Sequence, residues 1–274
     1  MLFHHASLLT GDLTATDAFY TQRLGLRRVK NSVNQENLHM RHVFYGDALG
    51  TPGTVITFFA VPRLGPRYDG ANYMSGLGLA IPQDSVAYWT ARLGSLHVVD
   101  PNGVAIRLIP TAGQVPHPVA GPVPAAAQII GLAASQLFVA QPTASTRFFQ
   151  RLSDSVPSGL TIAPSNSTAT HRFGRGSIDH LAFTVADAHA LDALEARAAA
   201  AGDPIEERID RGWFESLYVR DPNGNRIEFA TPTPGFTLDE PEATLGEDFG
   251  LPPHLEAQRA AITAWFAAQG EALT

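Results

Sequence analysis

Short apolar runs typical of strands alternate along this chain with segments whose apolar residues recur at helical spacing. An apolar strand around residues 5–9 is followed by a predicted helix over residues 16–24, which Gly25 ends and which Thr14 or Thr16 is expected to cap. Strand-like runs then follow at residues 26–29, 41–45 and 54–59. The pattern therefore predicts a unit built from one strand, one helix and three further strands.

This unit recurs along the chain. The helical segment at residues 18–25 resembles that at residues 87–94, with fainter copies at 147–152 and 193–197, and the turn Asp-Pro-Asn-Gly occurs at residues 100–103 and again at 221–224. Repetition at this scale indicates an architecture assembled from equivalent modules. We therefore predict an α+β fold of four βαβββ modules, the second of which is trimmed.

The boundaries follow from composition. The predicted arrangement is an N-terminal pair of modules at residues 1–112, a Pro- and Ala-rich surface linker at 113–127, a C-terminal pair at 128–232 and a tail at 233–274. In the tail a helix around residues 255–268 is expected to pack through Leu255, Ile262, Trp265 and Phe266. The alternative for the tail is a segment that binds a partner.

Composition narrows the function. The net charge is -7 and no basic stripe is present, which argues against nucleic acid, because binding to nucleic acid depends on neutralising phosphates. No apolar run is long enough to span a membrane and no secretory signal is visible, so we expect a cytoplasmic location. The chain has no cysteine, so a bound metal would need histidine and carboxylate ligands.

Two histidines and one glutamate occupy matching places in the repeat. His5 and His180 lie on the first strands of copies one and four, and Glu228 lies on the last strand of copy four. The corresponding positions in the other copies are about Leu77 and Ala134 for the histidines, and Arg107 for the glutamate. A carboxylate on an apolar strand is costly without a nearby cation. The set resembles the two-histidine, one-carboxylate triad that holds Fe(II), although Mn(II), Zn(II), Ni(II) or Co(II) remain open.

Motifs spread over nearly the whole chain resemble the vicinal oxygen chelate superfamily, which includes glyoxalases, bleomycin-resistance proteins and extradiol dioxygenases. Within it, the chain is most similar to ring-cleaving dioxygenases that act on hydroquinones. The resemblance implies two domains with open, incomplete β-barrels. It is carried by residues 4–5, 10–12, 19–20, 24–26, 30, 33–35, 42–47, 50–54, 176–180, 211–218, 221–224 and 251–256.

The resemblance also implies roles for individual residues. His5, His180 and Glu228 would bind Fe(II), with Mn(II) or another divalent metal as an option. His4 would act as general base or acid, and Arg211 and Tyr218 would stabilise negative charge near the substrate. The family commonly has a histidine directly before its second ligand histidine, and here Asp179 stands in that place. An aspartate there is expected to orient His180 and to influence substrate choice.

The resulting hypothesis is an Fe(II)-dependent extradiol-type dioxygenase that takes O2 and a hydroxylated aromatic such as a hydroquinone or catechol, with a homodimer as one option for its assembly. A glyoxalase-like isomerase or lyase is the first alternative. Such sites usually have a fourth ligand, and its counterpart here is about Thr57. The second alternative is a protein of the resistance type that binds a small molecule without turning it over.

Overall fold

The computed structural model describes residues 1–273. Thirteen strands lie in two sheets, with five α-helices around them. The strands are β1 Phe3–Thr10, β2 Arg27–Asn34, β3 Asn37–Gly46, β4 Val55–Ala60, β5 Tyr73–Pro82, β6 His97–Val99, β7 Ala105–Thr111, β8 Gly131–Val139, β9 Leu160–Pro164, β10 Ile178–Thr184, β11 Ile205–Asp210, β12 Glu215–Arg220 and β13 Arg226–Ala230. The helices are α1 Leu13–Asp17, α2 Val86–Leu93, α3 Pro142–Ser153, α4 Ala188–Ala201 and α5 Arg259–Ala268.

The helices of copies one and four begin in the same way. Asp12 caps α1 by accepting a hydrogen bond from the backbone of Ala15, and Asp187 caps α4 by accepting one from Ala190. The predicted caps Thr14 and Thr16 were therefore wrong, because the aspartate before them already satisfies the first free N–H groups. After α1 the chain continues in a wider π-helical turn at Ala18–Arg23 before Gly25.

The two Asp-Pro-Asn-Gly turns are also equivalent. Asp100 Oδ1 accepts hydrogen bonds from the backbone N–H groups of Asn102 and Val104, both at 2.8 Å. In the second turn Asp221 Oδ1 accepts the corresponding bonds from Asn223 and Asn225. The local structure of the repeat is thus set by the same short-range hydrogen bonds each time.

The sheets join copies that are distant in sequence. The eight-stranded sheet has the order β11-β12-β13-β10-β1-β4-β3-β2 and so combines copies four and one, whereas the five-stranded sheet β6-β7-β5-β8-β9 combines copies two and three. The mixed α+β fold with two incomplete barrels is confirmed. The predicted segments 1–112 and 128–232 describe order along the chain, but each barrel takes one half from each segment.

The linker and the tail both pack against this framework. Val123 in the linker is buried in the main core. The tail packs against Val33 of β2 through Leu255, in a 3-10 turn just before α5, and through Ile262 and Phe266 of α5, with Trp265 at the edge of the cluster. The predicted packing stripe of the tail is confirmed, and its contacts lie on the sheet of copies one and four.

Within residues 1–273, no helix combines the length and the apolar character needed to cross a membrane. The longest helix in that range is α4 with 14 residues, against the roughly 20 that a bilayer requires.

Candidate metal centre

Three adjacent strands at the centre of the eight-stranded sheet supply His5, His180 and Glu228. On β1, β10 and β13 the register pairs His5 with Ala182 and Ala182 with Glu228, while His180 lies two residues before Ala182. Residues two apart on a strand point to the same side of a sheet. All three side chains therefore project from the concave face, although 175 residues separate the two histidines in sequence.

One atom of each side chain meets at a common point. His5 Nε2 lies 3.1 Å and His180 Nε2 lies 2.9 Å from Glu228 Oε2, and the two nitrogens are 3.3 Å apart. Ligands about 2.1 Å from a metal at right angles to one another would be about 3 Å apart. The three atoms therefore have the spacing of one face of an octahedral site, which leaves three positions free.

The outer nitrogens of both histidines are held by other residues. Asp179 Oδ2 lies 2.7 Å from His180 Nδ1, so that nitrogen carries a proton and donates it. His4 Nε2 lies 3.1 Å from the carbonyl of Thr231, which can only accept, so neutral His4 has its lone pair on Nδ1. His4 Nδ1 in turn lies 2.9 Å from His5 Nδ1 and accepts a hydrogen bond from the N–H group at that atom. In its neutral form, each of the two histidines consequently directs the lone pair of Nε2 toward the common point.

Glu228 has one satisfied oxygen and one that faces this point. Ser216 donates a 2.6 Å hydrogen bond to Oε1, whereas no group within residues 1–273 donates one to the buried Oε2. Burial favours the neutral acid, but the charges of and contacts with His5 and His180 outweigh it and hold the pKa of Glu228 well below its usual range. Burial likewise disfavours charge on His180, yet Asp179 and Glu228 raise its pKa. The centre attracts positive charge, and the donor set fits a divalent transition metal.

His5 and His180 border a small cavity of about 30 Å³, and Glu228 lies beside them. A larger open cleft of about 680 Å³ lies beside Asp17 and Arg41 but contains none of the three ligands. The small cavity is therefore the candidate active site. Its wall is formed by His5, Ser7, Asn34, Gln35, Glu36, His42, Phe44, Phe59, His180, Arg211, Trp213, Phe214, Tyr218 and Arg226.

Two of the predicted substrate-binding residues, Arg211 and Tyr218, line this cavity. The guanidinium groups of Arg211 and Arg226 lie 5.2 Å and 4.1 Å from the centre of the Tyr218 ring. Burial, followed by the charge of Glu228, raises the pKa of Tyr218 above its ordinary value, so its hydroxyl stays protonated. The wall thus presents two permanent cations and one neutral hydroxyl.

The other two, His4 and Asp179, lie behind the ligand histidines and outside the cavity wall. Burial, reinforced by His5, lowers the pKa of His4 to about 3, and both of its ring nitrogens have partners. Asp179 contacts His180 and, at 3.4 Å, Arg226, and these partners outweigh burial and lower its pKa. In this arrangement each of the two residues orients a ligand histidine.

His42 is a partly buried residue of the cavity wall that the sequence indicated only as part of a motif. Its ring centre lies 4.0 Å from Phe44 and 4.2 Å from Phe59. Thr57 donates its hydroxyl proton to Ser7, so His42 Nε2 donates to Thr57 at 2.8 Å and the free lone pair is on Nδ1. Burial, reinforced by His180 and His5, lowers the pKa of His42 well below 6.5. Alternation along residues 41–45 could have indicated that His42 shares a face with Phe44.

Thr57, the counterpart of a fourth ligand in glyoxalase-like sites, is engaged by His42 and Ser7 and does not join the three ligand atoms. In the five-stranded sheet the register pairs Gly78 with both Arg107 and Ala134. Arg107 and Ala134 thus correspond to Glu228 and His5, and Gly76, rather than Leu77, corresponds to His180. The second barrel therefore lacks the donor set.

Comparisons with known proteins agree with this fold. The profile of the Glyoxalase/Bleomycin resistance protein/Dioxygenase superfamily matches residues 125–229. A Bacillus subtilis (strain 168) protein named "Putative ring-cleaving dioxygenase MhqA" is 32% identical over 95% of this chain and 96% of its own length. A Sphingobium indicum protein named chlorohydroquinone/hydroquinone 1,2-dioxygenase is 27% identical over 92% of both chains.

Solved structures extend the comparison to three dimensions. One from Bacillus subtilis subsp. subtilis str. 168 superposes with a TM-score of 0.87, covering 97% of this chain and 96% of that one at 23% identity. Glyoxalase I from Zea mays superposes with a TM-score of 0.55, covering 84% and 92% at 16% identity. These likenesses concern the fold, whereas the 32% identity over nearly the full length shows kinship. The chain belongs to the glyoxalase, bleomycin resistance protein and dioxygenase superfamily.

Proposed function

We propose that this protein is an Fe(II)-dependent, extradiol-type dioxygenase that cleaves the ring of a hydroxylated aromatic such as a hydroquinone. The observation that carries the proposal is the convergence of two imidazole lone pairs and the unpaired Glu228 Oε2 on one point of a closed, aromatic-lined pocket. The names of the relatives, which include ring-cleaving and hydroquinone dioxygenases, support it.

His5, His180 and Glu228 would hold the metal, since their donor atoms are those of the facial triad found in non-haem iron oxygenases. When bound, ferrous iron supplies the redox chemistry with O2 that no side chain of the protein can provide. His4 and Asp179 would fix the orientation of the two imidazoles through their Nδ1 atoms.

The remaining wall residues would manage charge and protons. His42 Nδ1 is a neutral acceptor for the proton that the substrate hydroxyl loses on binding. Arg211 and Arg226 would stabilise the resulting phenolate, and Tyr218 would donate a hydrogen bond to negative charge that develops on oxygen. This assignment transfers the proton-accepting role from His4, whose nitrogens are both occupied, to His42.

The apolar part of the wall would exclude water and sandwich the ring. Phe44, Phe59, Phe214 and Trp213 surround the cavity with aromatic surface. Aromatic surface binds a benzene ring through apolar burial and edge-to-face contacts, and the absence of bulk water strengthens the electrostatic effects of the cations.

The test is anaerobic reconstitution with Fe(II), followed by measurement of O2 uptake and of ring-opened product with hydroquinone, methylhydroquinone and catechol. We expect one iron per chain and uptake in the wild type, and loss of both in His180→Ala. The matched control is His189→Ala, an exposed histidine on α4, which should behave as the wild type.

Three outcomes would contradict the proposal. Unchanged O2 uptake in His180→Ala would show that the reaction does not take place at the proposed metal site. Isomerisation of a substrate without O2 consumption would favour a glyoxalase-like enzyme. Tight binding of phenols with neither metal nor turnover would favour a sequestering protein.

A further inference from the structure

Gln35 has a buried hydrogen-bond acceptor without a partner in the wall of the cavity. Its Nε2 donates a 2.9 Å hydrogen bond to the backbone carbonyl of Arg211. Because a carbonyl only accepts, this bond fixes which end of the amide is nitrogen. Oε1 is then left buried, and no group within residues 1–273 donates to it. Such an unsatisfied oxygen costs free energy unless a ligand completes it.

The position of Gln35 follows from the sheet topology. Gln35 lies in the turn between β2 and β3 at one edge of the eight-stranded sheet, and Arg211 lies in the turn between β11 and β12 at the other edge. The bond between them joins the two edges, while the three metal-ligand residues lie on the central strands. We call this junction of the two sheet edges the mouth of the cavity, and the central strands that carry the three candidate ligands its floor.

This separation distinguishes two kinds of dihydroxybenzene. In a catechol the two hydroxyls are on neighbouring carbons, and both would lie at the floor. In a hydroquinone one hydroxyl at the floor directs the other across the ring toward the mouth. A neutral hydroxyl there needs an acceptor, yet the nearby Arg211 and Arg226 can only donate. Glu36 can also accept, but its Oε1 is 2.5 Å from Arg211 and 3.3 Å from Arg226, and its side chain is 42% exposed, so water competes for its oxygens, whereas Gln35 Oε1 is buried without a donor.

We propose that Gln35 determines specificity by accepting, through Oε1, a hydrogen bond from the hydroxyl that lies para to the one at the metal centre. The inference rests on the proposed function and adds a residue to it. Gln35 acts by selecting para-dihydroxybenzenes over phenols that lack a donor at the para position.

The experiment compares two ligands that differ in this donor. Hydroquinone can donate from its para hydroxyl, and 4-methoxyphenol cannot. Dissociation constants are measured by calorimetry under anaerobic conditions with Zn(II)-loaded protein, so that binding is read without turnover. The variants are Gln35→Leu and, as a second variant of similar shape, Gln35→Met. Gln22→Leu, an exposed glutamine outside the cavity wall, is the control.

In the wild type and in the control we expect hydroquinone to bind about tenfold more tightly than 4-methoxyphenol, the ratio expected for one hydrogen bond to a buried acceptor. In both Gln35 variants the affinity for hydroquinone should fall about tenfold, and the affinity for 4-methoxyphenol should fall less than twofold. Comparing the two ligands separates this effect from any displacement of Arg211, because such a displacement would weaken both.

The binding data distinguish failure of the Gln35 role from failure of the proposed function. If the variants fold, bind Zn(II) and keep the wild-type preference for hydroquinone, the role of Gln35 is overturned. If both ligands weaken equally, Gln35 acts only by holding Arg211 and the inference is also wrong. If the wild type binds neither phenol, the proposed function itself is contradicted.

Discussion

At the scale of single residues, the site is organised by hydrogen bonds that reach the ligands from behind. Thr231, His4 and His5 form a chain in which each nitrogen has one defined role, and Asp179 does the same for His180. Conversely, two buried acceptor atoms, Glu228 Oε2 and Gln35 Oε1, lack donors within residues 1–273. A preorganised binding site needs hydrogen bonds that hold its side chains in place, together with acceptor atoms that remain free for the ligand.

The role of His4 can be tested by removing its acceptor nitrogen. His4→Phe fills similar space but leaves the Nδ1 proton of His5 without a partner, so we expect metal affinity to fall about 10- to 100-fold. Affinity is measured by competition with a chelator of known affinity, and kcat is measured at saturating metal. Unchanged affinity together with a collapsed kcat would instead support the general base predicted from sequence.

The lowered pKa of His42 should make the free energy of unfolding depend on pH. Burial lowers the pKa of His42 in the folded state. As the pH falls through about 6.5, His42 therefore binds a proton in the unfolded chain but stays neutral in the folded protein. Stability is therefore fully present above pH 6.5 and is lost as the pH falls, by up to about 1.4 kcal/mol per pH unit for this one group. His42→Gln should flatten the slope by that amount in urea unfolding between pH 6.5 and 5.

The control for this measurement is His97→Gln, which changes an exposed histidine in the five-stranded sheet. It should keep the wild-type slope. Parallel slopes in the wild type and in His42→Gln would show that His42 titrates alike in both states, against the prediction.

At the scale of elements, the hairpin of β2 and β3 lies at the mouth of the cavity. Asn34 Oδ1 accepts hydrogen bonds from the backbone of Glu36 and Asn37 and so fixes the tip, and Glu36 connects the tip to Arg211 and Arg226. Burial alone would raise the pKa of Glu36, but these arginines lower it, so the connection is ionic. A cavity of about 30 Å³ is about the share of liquid volume of one water molecule. An aromatic ligand therefore needs part of the wall to move, and we expect this tip to be that part.

Weakening the connection should accelerate entry. In Glu36→Gln the ion pairs are lost and the tip opens at lower cost, so we expect the association rate of hydroquinone to rise several-fold, by analogy with other lid-gated sites. Stopped-flow fluorescence of Trp213, which lines the cavity, would follow binding anaerobically. Glu256→Gln, which breaks an exposed pair with Arg259 in the tail, is the control, and equal rates in all three proteins would contradict gating by the hairpin.

At the scale of the whole molecule, the tail supports one residue of the cavity wall from outside. Lys30, the chain's sole lysine, is fully buried and bonds to Asp239 at 2.8 Å, to Glu240 and to the carbonyl of Phe236. Asp239 also accepts a hydrogen bond from the indole of Trp213 in the cavity wall. The tail therefore reaches the active site through one buried ionic cluster.

Removing this cation should be costly. Lys30→Met leaves two buried carboxylates without their partner, so we expect a loss of about 3–5 kcal/mol in the free energy of unfolding by urea. The triple variant with Asp239→Asn and Glu240→Gln should recover much of it. Arg151→Met, which breaks a more exposed pair with Asp203, should cost only about 0–1 kcal/mol, and a similar small loss in Lys30→Met would contradict the role assigned to the cluster.

Features that depend on neighbours along the chain could be predicted from the sequence alone. Periodicity gave the strands and helices, the Asp-Pro-Asn-Gly turns recur with the same hydrogen bonds, and the repeat singled out His5, His180 and Glu228. The cap of α1 was missed because Asp12, Thr14 and Thr16 are all suitable residue types, and residue type alone does not show which of them has the extended backbone of a cap.

Four features could not be predicted in this way: which copies share a sheet, which way His4 faces, that His42 and Gln35 line the cavity, and that Lys30 contacts the tail. Each of these depends on contacts between residues that are far apart in sequence, such as the 206 to 210 positions between Lys30 and its partners. Local hydrogen bonding and side-chain alternation fix the elements, but the pairing of their edges follows from burying all apolar faces at once, which no local pattern specifies.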